Sequence, residues 1–248
     1  MFRPELLLDA SRQQRLKDAV PLRVSCQLFD GNAPRDLLPT LAYLCARMET
    51  EGVHLCLLPA EESLFSGTLL TFSRVSGCLC IVAVFAHTSV PLGRIAAGFS
   101  AEALCLECTS LGLGTCYMTG GYQKKQIQPY GKAGEELLCI LAIGRPAEKG
   151  QRYERRRKDL RQLCLSDPAQ WPEEVRTAAE LVRLAPSAMN LQPWKMDYIN
   201  DTFSIDSSER TQFDLGCALA HAEVGLHTRH AWTFSTEKNE PMVRALFL

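Results

Sequence analysis

The sequence has no surplus of charge. Lys and Arg number 27 and Asp and Glu 28, for a formal net charge of −1. Binding to nucleic acid draws on a basic excess that neutralises phosphates, so no nucleic-acid partner is expected. Long apolar runs are lacking too. No stretch reaches the roughly 18 residues that suggest a transmembrane helix, so no membrane partner is expected. The first residues, MFRPELLLDASRQQRLKDAV, lack the apolar core of a secretory signal and read as a short helix. A cytoplasmic protein is the expectation. His is scarce, and no His sits in a motif that would activate a nucleophile.

Cysteine is not scarce, at 11 residues. Most lie in apolar runs, as in GCLCIVAVF with Cys78 and Cys80, LLCILAIG with Cys139 and VHLCLLP with Cys56. There a thiol acts as a small hydrophobe. Cys78, Cys80, Cys105 and Cys108 could be assembled into a metal set. The first pair sits in a predicted strand and the second in a predicted helix, whereas zinc knuckles place Cys-x2-Cys in turns. No metal is therefore expected. A chain of 248 residues, 46% hydrophobic, can bury a core without disulfides or metals.

Apolar spacing predicts an amphipathic helix over 34–50, opened by Pro34, and another over 172–185. Residues 94–111 form a third, crowded with Ala96, Ala97, Gly98, Ser100, Ala101 and Ala103. Residues 213–227 form a fourth of the same small-residue kind. Strands are predicted at 53–58, 78–86 and 137–144. A hairpin is predicted around Asn200-Asp201, and two last strands in AWTFST and VRALFL. GLGTCYMTGG, 112–121, reads as a Gly-rich turn. The stretch 59–74 is a candidate pocket wall, with Phe65 and Phe72 as aromatic lids.

Two pairs of segments echo each other in the same order. PRDLLPTLAYLCARM (34–48) matches PEEVRTAAELVRLAP (172–186). AAGFSAEALCLECTSLGLG (96–114) matches DLGCALAHAEVGL (214–226), with Gly98 on Gly216. The expected organisation is one related half over 1–147, a basic linker over 148–171 and a second half over 172–248. A chain that already pairs with itself has less reason to dimerise, so a monomer with an internal pseudo-dimer is expected.

Two stretches remain that apolar patterning does not explain. LAPSAMNLQPW, 184–194, places Ser187, Asn190 and Gln192 on a loop bounded by Pro186 and Pro193, with Trp194 packing beneath it. EKGQRYERRRKDLR, 148–161, concentrates Arg152, Arg155, Arg156, Arg157, Lys158 and Arg161. On charge pattern alone the second is a solvated linker; its other reading is a phosphate clamp.

Taken together these motifs resemble the FMN-dependent nitroreductase family. APSAMNLQPW is similar to its A-P-S-x-x-N-x-Q-P-W signature. The helix ending GLGTCYMTG is similar to its G-L-G-T-C-W element, with Tyr117 for the Trp. RVSCQLF, 23–29, resembles its R-x-S-x-R-x-F element, with Gln27 for the second Arg, and RRRKD resembles its basic stretch. The first half holds Arg23-x-Ser25 but no A-P-S-x-x-N, and the second half the reverse. That pattern resembles a fused, pseudo-dimeric nitroreductase-like subgroup with one flavin site per chain.

The resemblance implies an α+β, nitroreductase-like fold. It would comprise two related α/β half-domains with central mixed sheets and long small-residue interface helices. It implies FMN as cofactor and NADH or NADPH as electron donor. The implied activity is ping-pong reduction of nitroaromatics, quinones or similar planar small molecules. Arg23, Arg157 and Lys158 would take the phosphate, with Ser25 on the phosphate or ribityl chain. Gln27 removes one charge from that clamp. Ser187 and Asn190 would face the flavin's pyrimidine edge, with Pro186 also among the cofactor-binding residues. The backbone of Gly114 and Thr115 would approach N5, since Gly permits close contact. The flavin would carry the chemistry, so no catalytic side chain is expected: Cys116 lacks a partner base, and His221 reads as a satisfied interface histidine. The alternative is a non-catalytic flavin-binding or scaffold protein of the same fold.

Overall fold

A computed structural model describes residues 2–8, 10–65, 75–148, 156–235 and 242–248. The chain divides into two compact units that do not follow chain order. One comprises 22–93 and 103–154; the other comprises 1–21, 94–102 and 155–248. The expected halves ran through the chain in order. The units instead assign the first 21 residues and a piece of a central helix to the later part of the chain. Part of the expected pocket wall, 66–74 with Phe72, lies outside the described residues, as do Arg152 and Arg155 of the basic run.

In the order of the chain, α1 is Ala10–Ala19, α2 Leu37–Met48, β1 Val53–Pro59, β2 Cys80–His87 and α3 Gly93–Ser110. Then come β3 Gly114–Met118, α4 Lys124–Ile127, β4 Glu135–Gly144, α5 Leu160–Leu163 and α6 Glu173–Leu184. The last elements are β5 Lys195–Ile199, β6 Thr202–Asp206, α7 Gln212–Gly225, β7 His230–Phe234 and β8 Val243–Phe247.

The unit built on the first sheet has strand order β1-β2-β4-β3. The Val- and Ile-rich run of β2 is buried from Cys80 through Ala86, as suits a strand with a neighbour on each side. The amphipathic α2 buries Leu41, Leu44, Cys45 and Met48, the three-to-four spacing read from its sequence. GTCYM departs from expectation. It is a strand, β3, not part of a turn, and it pairs antiparallel with β4. Gly112, at φ +77°, ends the preceding helix. The chain then has hydrogen-bonding partners waiting on β4, and pairing overrides the turn propensity of its glycines.

The unit built on the second sheet has order β5-β6-β8-β7, the first order repeated. The succession helix, two strands, helix, two strands also recurs: α2-β1-β2-α3-β3-β4, with the single turn α4 inserted, and α6-β5-β6-α7-β7-β8. The echo in sequence is therefore also an echo in topology. The β5–β6 hairpin turns at Asn200 and Asp201, both left-handed at φ +49° and +54°, as a two-residue turn of type I′ demands. The strand ladders are all antiparallel. The mixed character expected of the sheets is confined, among the described residues, to isolated parallel bridges such as Ser25–Thr115 and Cys164–Met196.

In this second unit the first half of α3 crosses α7, and both contribute small residues to the contact. A Cβ on Gly98 would stand 2.0 Å from the Phe213 carbonyl oxygen, and one on Gly216 2.0 Å from that of Ile95. Among the described residues no helix is long and apolar enough to cross a membrane.

Candidate functional site

The signature loop begins where α6 stops. Ala185 turns extended ahead of Pro186, as residues before proline do. The loop then takes a tight course, with Met189, Asn190 and Gln192 all left-handed, at φ +50°, +58° and +46°. Such backbone is disfavoured for residues with a Cβ and persists only where its surroundings hold it. The surroundings here are the residues just before α5. The Arg157 guanidinium donates to Asn190 Oδ1 and, at 3.0 Å, to the Leu184 carbonyl. Lys158 Nζ donates to the carbonyls of Leu191 at 2.7 Å and Gln192 at 3.2 Å. In return Asn190 Nδ2 donates to the Arg156 carbonyl at 2.8 Å, and Gln192 Oε1 accepts the Lys158 N–H at 3.0 Å.

Within the loop, Ser187 Oγ accepts the Gln192 N–H at 2.8 Å, which leaves its own hydroxyl proton to donate. Asp214, in the first turn of α7, accepts the Ala188 N–H at 3.1 Å. Burial raises the Asp214 carboxyl above its ordinary value, and the Ala188 hydrogen bond only partly offsets this. Trp194 is 1% exposed. Met189 and Leu191, by contrast, are exposed.

The Arg23–Phe29 segment belongs to the other unit and lies along β3. Ser25 bridges Thr115, and the Cys26 N–H donates to the Thr115 carbonyl at 2.8 Å. Arg23 is buried, and the Ser25 hydroxyl donates to Cys116 Sγ at 3.5 Å, a weak acceptor. Gln27 uses its carbonyl to accept the Ser76 N–H at 3.2 Å. Gly114 was expected to admit a flavin. A Cβ there would meet Cys26 Cβ at 2.8 Å and Pro146 Cγ at 3.0 Å, so glycine lets these side chains pack against β3. Opposite it in the ladder, Gly144 is crowded in the same way by Phe29 and Cys78.

The structure thus brings Arg157, Lys158, Pro186, Ser187 and Asn190 into one cluster, and Arg23, Ser25, Gly114 and Thr115 along one strand edge. Sequence reasoning missed Asp214. The signal for Asp214 was available: a lone carboxylate near the start of a helix of small apolar residues. His221 is satisfied, as expected, with Nε2 2.8 Å from Glu102 Oε1 and Nδ1 2.8 Å from the Leu181 carbonyl. Glu223 accepts from Trp232 Nε1 at 2.6 Å and pairs with His230 Nε2 at 3.0 Å.

No curated protein sequence matches the chain. Solved structures do. A structure described as a putative nitroreductase from Thermotoga maritima is 20% identical, with a TM-score of 0.64, covering 94% of this chain and 93% of that one. Another, described as a putative nitroreductase in complex with FMN from Desulfovibrio desulfuricans, is 19% identical with a TM-score of 0.50. It covers 63% of this chain and 98% of that one. These likenesses establish the nitroreductase fold. The profile of the family described as "Putative TM nitroreductase" matches residues 15–226, most of the chain, including the Arg23 segment and the loop from Pro186 to Trp194. The chain belongs to that nitroreductase family.

Proposed function

We propose that the protein is an FMN-dependent oxidoreductase. The reading rests on the family match across residues 15–226. It is supported by the FMN named in the description of the Desulfovibrio structure. The donor set suits such a cofactor. In the unit of the second sheet, the Ser187 hydroxyl proton is uncommitted by its hydrogen bond to Gln192. Arg23 adds positive charge close to Ser25 in sequence. When bound, FMN would supply hydride chemistry, taking electrons from NADH or NADPH and passing them to a planar acceptor such as a nitroaromatic or quinone. The protein's part is to hold and orient the ring and to supply hydrogen bonds at its polar edge.

The test is direct. Purified protein is titrated with FMN, and the flavin bands are followed during anaerobic addition of NADH or NADPH and then of an acceptor. Bleaching followed by recovery supports the reading. Bound FMN that neither nucleotide reduces points to the non-catalytic alternative, which the loss of a clamp charge at Gln27 favours. Absence of FMN binding overturns both.

A further inference from the structure

We propose that Arg157 and Lys158 are positioning residues that hold the 187–192 loop in its left-handed course. The consequence for flavin rests on the reading above; the positioning itself does not. A guanidinium carries five N–H donors in a fixed planar fork, which suits it to tie two points of a loop together. In Arg157 one terminal nitrogen is committed to Asn190 Oδ1 and the other to the Leu184 carbonyl, at either end of the loop. Lys158 Nζ is committed to consecutive carbonyls, Leu191 and Gln192. These are the carbonyls of the stretch that includes the left-handed residues Asn190 and Gln192. The loop answers with its own side chains on the Arg156 carbonyl and the Lys158 N–H. Two segments that each lack regular backbone pairing satisfy one another. The basic residues of this clasp answer the loop's oxygens, so these N–H groups serve its conformation. What they set is the direction of the Ser187 hydroxyl.

The experiment compares FMN with riboflavin, which has the same ring and no phosphate. Arg157→Gln and Lys158→Gln are each titrated with both flavins by fluorescence quenching. Amide exchange at 187–192 is measured in the flavin-free protein. Positioning predicts weaker binding of both flavins by the same factor, roughly tenfold for the loss of a charge-assisted hydrogen bond. It also predicts exchange faster by a similar factor, confined to the loop. A loss selective for FMN, with exchange unchanged, would overturn the proposal. Arg157→Lys is the second variant, for the case that Gln disrupts folding. It keeps the charge and loses the fork, so it should speed loop exchange, and unchanged exchange counts against positioning. If the wild type binds neither flavin, the functional reading fails, while loop exchange still decides the clasp.

Discussion

Gly98 and Gly216 face each other across a helix crossing, and each is required for the same reason. A Cβ on either would stand 2.0 Å from a carbonyl oxygen three residues before the other glycine. The relation is reciprocal, as a local two-fold crossing requires. Backbone cannot retreat the way a side-chain tip can, so overpacking here falls at the severe end of its range. Gly98→Ala and Gly216→Ala should each destabilise the protein by about 3 kcal/mol or more. Urea titration against the wild type measures this, and near-wild-type midpoints would refute the close crossing.

His230 should make stability depend on pH. Burial alone would lower its pKa, but the hydrogen bond and charge of Glu223, helped by the Thr228 carbonyl and the charge of Glu5, raise it above the ordinary 6.5. Both ring nitrogens face acceptors, Glu223 Oε2 at 3.0 Å and the Thr228 carbonyl at 2.8 Å, so the doubly protonated ring satisfies both. The folded state binds the proton more tightly than the unfolded one. The stabilisation is therefore complete below about pH 6.5 and is lost as pH rises through the higher folded value. Thermal melts across pH 5–9 should show this decline, and His230→Gln should flatten it.

Asp214 works in the same direction for a different reason. Its folded-state pKa is raised because burial disfavours the carboxylate. Its protonated form is therefore preferred in the fold, and the cost of ionising it grows as pH rises through that raised value. Asp214→Asn keeps an oxygen for the Ala188 N–H and removes the charge. It should match or exceed the wild type in stability at pH 7. Asp214→Leu leaves that N–H without its acceptor and should cost about 1–3 kcal/mol. Melting temperatures of the two variants at pH 7 distinguish acceptor from charge.

The thiols should be inert. Burial pushes Cys78 up to about 11, and Cys45, Cys80 and Cys164 up to about 12. The thiolate is the reactive form. Iodoacetamide at pH 8 should leave these positions unmodified in the native protein and alkylate them in guanidinium, as read by peptide mass spectrometry. Rapid native labelling at Cys45 or Cys80 would contradict their burial.

Much of the architecture was legible before any coordinates. Periodicity is a local property: the spacing of Leu41, Leu44, Cys45 and Met48 belongs to one helix face wherever that helix packs. Asn200-Asp201 between two alternating runs specified a hairpin because few other residue types tolerate that turn. The match of Gly98 to Gly216 was legible as well, since a glycine among small residues is a mark of close helix approach. GTCYM was not legible. Its glycines favour a turn locally, and only the partner strand β4 makes it a strand.

The candidate site divides along the same line. The residue types of the loop, Ser187, Asn190 and Gln192, and of the basic run, Arg157 and Lys158, stood out by sequence alone, and so did the family they resemble. What they hold did not. The fold turns most of their polar tips on each other across some thirty residues of chain. At Gly114 the fold brings Cys26 and Pro146 against the strand. The physical reason is one of range. Helix and strand patterns and turn chemistry are written by neighbours along the chain, so the sequence by itself determined most of the elements and their order, β3 excepted. A hydrogen-bonding group takes whichever partner lies within about 3 Å in space. That choice, like the assignment of α1 and residues 94–102 to the second sheet's unit, was made only by the tertiary structure.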